Sequence, residues 1–305
     1  MKQKIMKRLI SFVKSSVWYT QIIFGDCSKF WYHRTYNLDI VNLGSGSAKY
    51  GFDYSDFDVK SANWAMAPQT LVGDYVVLSN YLSFLKSEGA VVLITICPFS
   101  CLDDGKTFLP DKMYTIADML SIPDFAIERK MAIQDVQNNP MKYFPLSRLI
   151  PELKRAIIKP KQRQMNAEQL MLNAEVFIGA WKKQFTIYSF SDEFSLVNKD
   201  RFEMSVKALE SLVNLCIEHN FKPVIVLPPV SRYLNSYFDE DFVNRYIKDY
   251  VNSISIKDIP FLNYLGDPDF VDDNLYMNSN FLNSAGAKLF TRRIMCDLME
   301  LRIMV

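Results

Sequence analysis

Short apolar segments alternate with longer segments of helical periodicity along most of the chain. The clearest short segment is residues 90–97, a continuous and largely β-branched run bounded by Gly89 and Pro98. Because apolar residues fall on both faces of this run, it is typical of a central strand in a parallel sheet. By the same criteria we predict strands near residues 38–43, 59–64, 90–97, 223–227 and 260–263.

Segments of helical periodicity separate these strands. We predict helices near residues 70–87, 200–220 and 241–251, and a last helix that begins at Asn283 or Ser284. Parallel strands that alternate with helices are joined by right-handed crossovers. The pattern therefore predicts an α/β fold, namely a three-layer, flavodoxin-like, doubly wound parallel sheet of about five strands.

The middle of the chain, about residues 102–197, is helical in pattern and is divided by six prolines. We interpret it as a helical insertion in a single α/β domain that spans residues 31–305. Within the insertion, the basic run from Lys154 to Arg163 lacks the interleaved aromatic residues that bind single-stranded nucleic acid. It is either a solvated face or a contact with an anionic surface.

The first 30 residues are predicted to form an amphipathic helix ahead of the α/β domain. Six apolar residues recur there at helical spacing, with basic residues mostly between them: Ile5, Met6, Leu9, Phe12, Val13 and Val17. Two interpretations stay open: residues 1–24 make a peripheral membrane contact, or the helix packs on its own domain. No uninterrupted apolar run is long enough to span a bilayer.

Composition narrows the classes of partner and cofactor. The formal net charge is +1, so nothing draws the chain as a whole to nucleic acid, and no nucleic-acid partner is expected. The five cysteines are odd in number and scattered, which favours a reducing, cytoplasmic compartment, and none has the ligand spacing of a zinc site. We therefore expect no metal.

Three segments follow predicted strands and should meet at one crevice, because ligands bind at the carboxyl ends of parallel strands. They are residues 44–47, residues 98–101 and the loop before the last helix. The first reads Gly-Ser-Gly-Ser, but it lacks the lysine of a phosphate-binding loop and the third glycine of a dinucleotide fingerprint. No cofactor is expected. The candidate pocket residues are Gly44, Ser45, Ser47, Tyr50, Asn280 and Asn283.

Two blocks of sequence resemble a known superfamily. Residues 42–52, Asn-Leu-Gly-Ser-Gly-Ser-Ala-Lys-Tyr-Gly-Phe, and residues 281–291, Phe-Leu-Asn-Ser-Ala-Gly-Ala-Lys-Leu-Phe-Thr, resemble the SGNH hydrolases. Within that superfamily the likeness is to bacterial members linked to surface-polysaccharide acylation and to the D-alanine transfer proteins of teichoic acid. The order of strands and helices also resembles that family, so the likeness covers most of the chain.

The resemblance implies a catalytic triad whose three positions carry other residues here. Gly46 stands where the family has its nucleophilic serine, Phe281 where it has the histidine base, and Asn278 where it has the aspartate that orients this base. Glycine has no hydroxyl, phenylalanine accepts no proton, and asparagine carries no charge to stabilise an imidazolium. A shift of one residue leaves Ser47 or Ser45 as a fallback nucleophile, but either one needs a base.

No base is evident in the sequence. The only histidines, His33 and His219, precede predicted strands and should lie at the opposite edge of the sheet. Cys97 and Cys101 lie at the correct edge without a neighbouring histidine, so Cys97 is interpreted as a buried strand residue.

Four loop aspartates are interpreted as solvated, with carboxylate chemistry beside the crevice as the alternative: Asp103, Asp104, Asp272 and Asp273. Four aromatic residues near the predicted rim either stack on sugar rings or serve packing: Tyr50, Tyr54, Trp64 and Tyr233.

These observations lead to two hypotheses. The first is a non-catalytic SGNH-like protein that binds a carbohydrate or an acyltransferase partner in a bacterial surface-polysaccharide system, a setting that the resemblance alone implies. The second is an active carbohydrate O-acyl esterase or acyltransferase that uses Ser47 or Ser45 with an unidentified base.

Overall fold

The computed structural model describes residues 2–31, 35–103, 115–116, 127–157 and 164–304. The chain divides into two compact units: one consists of residues 1–34 and 107–162, the other of residues 35–106 and 163–305. The predicted insertion, about residues 102–197, therefore contributes to both units. Below they are called the helical unit and the sheet unit.

The sheet unit is built on a five-stranded sheet with the strand order β2-β1-β3-β4-β5, in which every neighbouring pair is parallel. This is the 2-1-3-4-5 order of doubly wound sheets. The strands are β1 (Ile40–Leu43), β2 (Ser61–Asn63), β3 (Val91–Thr95), β4 (Lys222–Leu227) and β5 (Phe261–Asn263). All five coincide with predicted strands, so the predicted α/β fold with a five-stranded parallel sheet is confirmed.

Helices cover both faces of this sheet. They are α3 (Gly46–Gly51), α4 (Leu71–Tyr81), α8 (Ala167–Phe185), α9 (Leu196–Glu218), α10 (Arg232–Asn235), α11 (Glu240–Phe242), α12 (Asp249–Asn252) and α13 (Ser284–Glu300). Alternate strand residues such as Ile40, Leu93 and Val224 share a core with Phe290 and Ile294 of α13. Helix α3 packs against α13. Helix α4 packs against α9, which in turn contacts β4. The result is three layers.

A short antiparallel hairpin precedes the last helix. Its strands are β6 (Tyr276–Asn278) and β7 (Phe281–Leu282), in which Asn278 pairs with Phe281. Asn283 then caps α13, because its Oδ1 accepts hydrogen bonds from the backbone N–H groups of Ala285 (2.9 Å) and Gly286 (3.1 Å). The last helix thus begins at Ser284, as predicted.

Two predicted helices differ from their observed form. The helix predicted over 70–87 ends at Tyr81 and continues as a short 3₁₀ turn, Leu82–Phe84. The helix predicted over 241–251 is built from α11, a π-helical segment (Val243–Lys248) and α12. Tyr246 and Ile247 of the π-helical segment are both buried.

The helical unit carries α1 (Lys2–Ser15), α2 (Ser28–Trp31), α5 (Ile127–Asn138), α6 (Pro140–Tyr143) and α7 (Leu149–Ile157), with a π-helical segment at Trp18–Ile23. Its core is formed by Val13, Trp18, Tyr19 and Phe24, against which Ile133 and Phe144 pack. No helix in the part of the chain that the structure describes is both long and apolar enough to cross a membrane.

Candidate functional site

The strand order of the sheet reverses at the carboxyl ends of β1 and β3, where doubly wound sheets hold their ligands. Gly44 follows β1 and has a φ of +124°. A Cβ atom at Gly44 would lie 2.9 Å from the Cβ and from the backbone oxygen of Thr95, and 2.9 Å from the Cβ of Ala48. The ends of the two strands therefore meet closely, with room for glycine alone.

A buried carboxylate, which sequence reasoning missed, holds this turn. Asp74 lies in the first turn of α4, is 1% exposed, and accepts a hydrogen bond from the backbone N–H of Gly44 at 3.0 Å. Thr70 caps the same helix. The backbone N–H of Gly44 is therefore already hydrogen-bonded to a carboxylate of the protein. An anion bound at the Gly-Ser-Gly-Ser turn would need this same donor. The only sequence signal was an aspartate four residues after a capping threonine.

Gly46 and Phe281 are in direct contact, although they lie about 235 residues apart in the sequence. A Cβ atom at Gly46 would stand 2.7 Å from Cζ and 2.9 Å from Cε1 of the Phe281 ring. Gly46 is buried and begins α3, and Phe281 is half-buried at the start of β7. The aromatic ring therefore covers the backbone of Gly46 and fills the space that a side chain there would occupy.

Asn278 organises the turn between β6 and β7. Its Oδ1 accepts hydrogen bonds from the backbone N–H groups of Asn280 (3.0 Å) and Phe281 (2.8 Å). An amide oxygen satisfies these two donors without bringing a charge to the turn. Asn278 thereby fixes the backbone that carries the Phe281 ring.

The two fallback nucleophiles differ in their surroundings. The Oγ of Ser45 accepts a hydrogen bond from the backbone N–H of Gln69 at 3.2 Å, and Ser45 is half-buried. Ser47 lies within α3 and is 8% exposed. His219, the histidine that the structure describes, lies away from both serines: it ends α9 and stacks on Phe221 at the amino-terminal edge of the sheet, as predicted. His33 lies outside the described residues.

The cysteines at this edge are poorly suited to thiolate chemistry. Burial raises the pKa of Cys97, with the nearby Asp103 and Asp74 charges acting in the same direction and the hydrogen bond from Ser100 opposing them. Burial also raises the pKa of Cys101 well above its ordinary value. Both thiols are therefore protonated at neutral pH, and a neutral thiol is a weak nucleophile.

Asp272 and Asp273, in the loop that precedes β6 and α13, accept hydrogen bonds from nearby residues. Asp272 accepts a hydrogen bond from the backbone N–H of Asn274 at 2.9 Å. Asp273 accepts hydrogen bonds from Tyr233 Oη at 2.9 Å and from Arg232 at 3.1 Å. Asp103 follows the 3₁₀ turn Ser100–Leu102, and Asp104 lies outside the described residues.

The aromatic residues named from the sequence take different positions. Trp64 is 1% exposed, and its ring lies against Tyr81. Tyr54 stacks on Phe52 and donates a hydrogen bond to Asn42 Oδ1 at 3.2 Å. Since Tyr233 is tied to Asp273, only Tyr50 of the four reaches the Gly46 region, where its ring lies 5.4 Å from that of Phe281.

Half-buried rings form a continuous row from α3 to α8, which we call the aromatic row. Its members are Tyr50, Phe281, Phe177 and Trp181. Successive ring centroids are 5.4 Å, 6.1 Å and 5.5 Å apart. The two members on α8 were not identified from the sequence, because a Phe and a Trp four residues apart on a helix are equally typical of a core-facing stripe.

A surface groove of about 340 Å³ also lies along α8 and is lined by Met165, Gln169, Leu172, Asn173 and Val176. Asn173 lies one helical turn before Phe177 of the aromatic row. The β6–β7 turn is hydrogen-bonded to one of the residues that line the groove: the backbone N–H of Ser279 donates to Asn173 Oδ1 at 2.9 Å. Asn280, the next residue in the turn, is 6% exposed, and its Oδ1 is buried without a hydrogen-bond partner among the described residues.

Known proteins give no further guidance. No family model matches the chain, and no curated protein matches it. Among the described residues, no group of three or more His, Cys, Asp or Glu side chains is arranged to hold a metal ion.

Proposed function

We propose that this protein is a non-catalytic relative of the SGNH hydrolases that binds carbohydrate along the groove and the aromatic row. The observation that carries the proposal is the contact between Gly46 and Phe281. In the resembled family these two positions hold the nucleophile and its base, which must lie within hydrogen-bond reach of each other. Their contact here supports the alignment of both blocks.

The same contact argues against ester chemistry. A phenyl ring in place of the base cannot take a proton, and Gly46 offers nothing to deprotonate. In the part of the chain that the structure describes, Ser45 and Ser47 have no histidine beside them, because His219 lies at the other edge of the sheet. An unactivated serine is a weak nucleophile near neutral pH. The residues of the crevice therefore favour binding over turnover.

The groove and the aromatic row have the composition of a site for an uncharged, amphipathic ligand. Aromatic rings offer flat apolar faces, while Gln169 and Asn173 of the groove offer amide groups. Binding sites of this kind combine apolar walls with a few orienting polar groups, and the groove volume falls at the lower end of their range. A sugar ring presents C–H faces and hydroxyls that complement such a surface.

The resemblance suggests the setting of this binding, a bacterial surface-polysaccharide system. There a non-catalytic relative would hold a glycan, or an acyltransferase acting on it, rather than modify the glycan itself. The proposal names no particular sugar.

We expect the wild-type protein to hydrolyse p-nitrophenyl acetate and O-acetylated sugars no faster than its Ser45→Ala and Ser47→Ala variants. The reason is that His219, the described histidine, lies at the opposite edge of the sheet from both serines. The measurement is initial-rate release of p-nitrophenol or acetate at several protein concentrations. Turnover that rises with wild-type concentration and disappears in one serine variant would instead establish the esterase hypothesis.

We expect Tyr50→Ala to weaken binding to a surface-polysaccharide fragment by about tenfold, since one aromatic contact contributes roughly 1–2 kcal/mol. Fragments would be screened on an array, and the best would be titrated by calorimetry. The matched control is Tyr188→Ala, because Tyr188 is 85% exposed, lies three residues beyond the end of α8 and is not a member of the aromatic row. Equal affinities of the two variants, or no binding by the wild type, would contradict the proposed binding surface.

A further inference from the structure

The helix α1 has an apolar face that its own unit covers only in part. Residues at positions 5, 9, 12 and 13 fall on one face at helical spacing. At the carboxyl-terminal end of this face, Phe12 and Val13 pack into the core of the helical unit. Towards the amino-terminal end, Ile5 is 51% and Leu9 is 43% exposed. The apolar face therefore extends about two turns beyond the core.

A second exposed apolar surface lies in the same unit, on α7 and the turn before it. Its members are Leu146, Leu149, Ile150 and Leu153. Ile150 is 67% exposed, and none of the four is less than 42% exposed. Four large aliphatic side chains so exposed within eight residues form a patch rather than scattered surface apolar residues, and such patches mark interaction sites.

Glu152 attaches α7 to the segment that follows α1. Its carboxylate is buried and accepts hydrogen bonds from the backbone N–H groups of Val17 (2.9 Å) and Trp18 (3.1 Å). These charge-assisted bonds fix the side of α7 that faces its own unit. The exposed aliphatic side chains therefore lie on a helix that is already anchored and are not needed to hold it.

Both surfaces are bordered by positive charge. Residues 2–15 include five basic and no acidic residues, although the whole chain has a net charge of only +1. No salt bridge joins Lys4, Lys7 or Arg8 to a carboxylate among the described residues. Near α7, Lys154 follows Leu153 directly, and the next residue, Arg155, is paired with the Glu152 carboxylate at 3.8 Å. An occupant must offer apolar depth together with negative charge.

We infer that the helical unit docks on an anionic lipid surface through the exposed faces of α1 and α7. A helix with an apolar face and a cationic border lies in the interfacial region of a bilayer, where its apolar side chains enter the acyl boundary and its basic residues meet anionic headgroups. Two such helices in one compact unit supply the paired attachment that stable docking needs.

The test is flotation of the full-length protein with vesicles of phosphatidylcholine alone or mixed with phosphatidylglycerol. We expect binding to the anionic vesicles that weakens as salt is added, and little binding to the neutral ones. Ile5→Asp/Leu9→Asp and Ile150→Asp/Leu153→Asp should each weaken binding by about tenfold or more, since each places two charges in the apolar layer.

The matched control is Leu196→Asp/Val197→Asp, which alters two residues of the sheet unit that are 81% and 62% exposed. This control should bind anionic vesicles as the wild type does, and circular dichroism should show that every variant is folded. The inference is wrong if anionic vesicles are not bound at low salt, if neutral vesicles bind equally well, or if the control loses binding equally. A wild-type dimer that the α1 and α7 variants abolish, without any vesicle binding, would assign these faces to a second copy.

Discussion

Gly44→Ala will lower the free energy of unfolding by about 2–6 kcal/mol, the sum of backbone strain at a positive φ and of overpacking. The new Cβ would lie 2.9 Å from the Cβ and the backbone oxygen of Thr95, and from the Cβ of Ala48. Because one of these contacts is to strand backbone, the strands themselves would have to separate. Urea denaturation followed by circular dichroism measures the effect.

Gly89→Ala is the matched control for Gly44→Ala. Gly89 also has a positive φ, of +68°, but its Cβ would meet nothing closer than Lys222 Cε at 3.9 Å. This control carries the strain of a left-handed backbone without crowding, so the difference between the two variants measures the packing at the ends of β1 and β3 together with the added strain at a φ of +124°. If both variants lost the same stability, the close approach of Gly44 to Thr95 would be refuted.

Gly46→Ala will destabilise the protein by about 1–3 kcal/mol, and removing the Phe281 ring will offset part of that loss. The added Cβ needs the space that Phe281 Cζ occupies, 2.7 Å away. In Phe281→Ala that space is open, so the two substitutions should not be additive. A double-mutant cycle measured by urea denaturation should give a coupling energy of about 1–2 kcal/mol.

Gly51→Ala serves as the control for this cycle. Gly51 ends the same helix, α3, and a Cβ there would stand 3.5 Å from the Phe290 ring, an ordinary van der Waals distance. It should be close to neutral and additive with Phe281→Ala. Absence of coupling between Gly46 and Phe281 would separate the two blocks in space and remove the main support for the relation to SGNH hydrolases.

The strand segments were predictable because their signal is local. The run at 90–97 is apolar on both faces, and a fully buried parallel strand requires that pattern. Pro98 and Gly89 mark its ends for equally local reasons. The π-helical segment inside the helix predicted over 241–251 was not predictable, since Tyr246 packs against Phe99 and Phe194, which are distant in sequence.

The candidate site was only partly predictable. Its glycine and serine turn, and the three positions that the resemblance assigns to a triad, could be located from two short blocks. Asp74 could not, because a single aspartate near a helix start is usually solvated, and only the fold brings it under the amide of Gly44. Phe177 could not be assigned to the site from the sequence either, because only the fold places α8 beside the β6–β7 turn.

The sequence alone determined the α/β alternation and the scarcity of histidine, two residues in the whole chain, since both follow from residue identity and spacing along the chain. The tertiary structure decided that Phe281 lies on Gly46, that a buried carboxylate holds the turn after β1, and that the rings of α3, β7 and α8 form one row. These are contacts between residues far apart in the chain, and packing rather than local periodicity selects them.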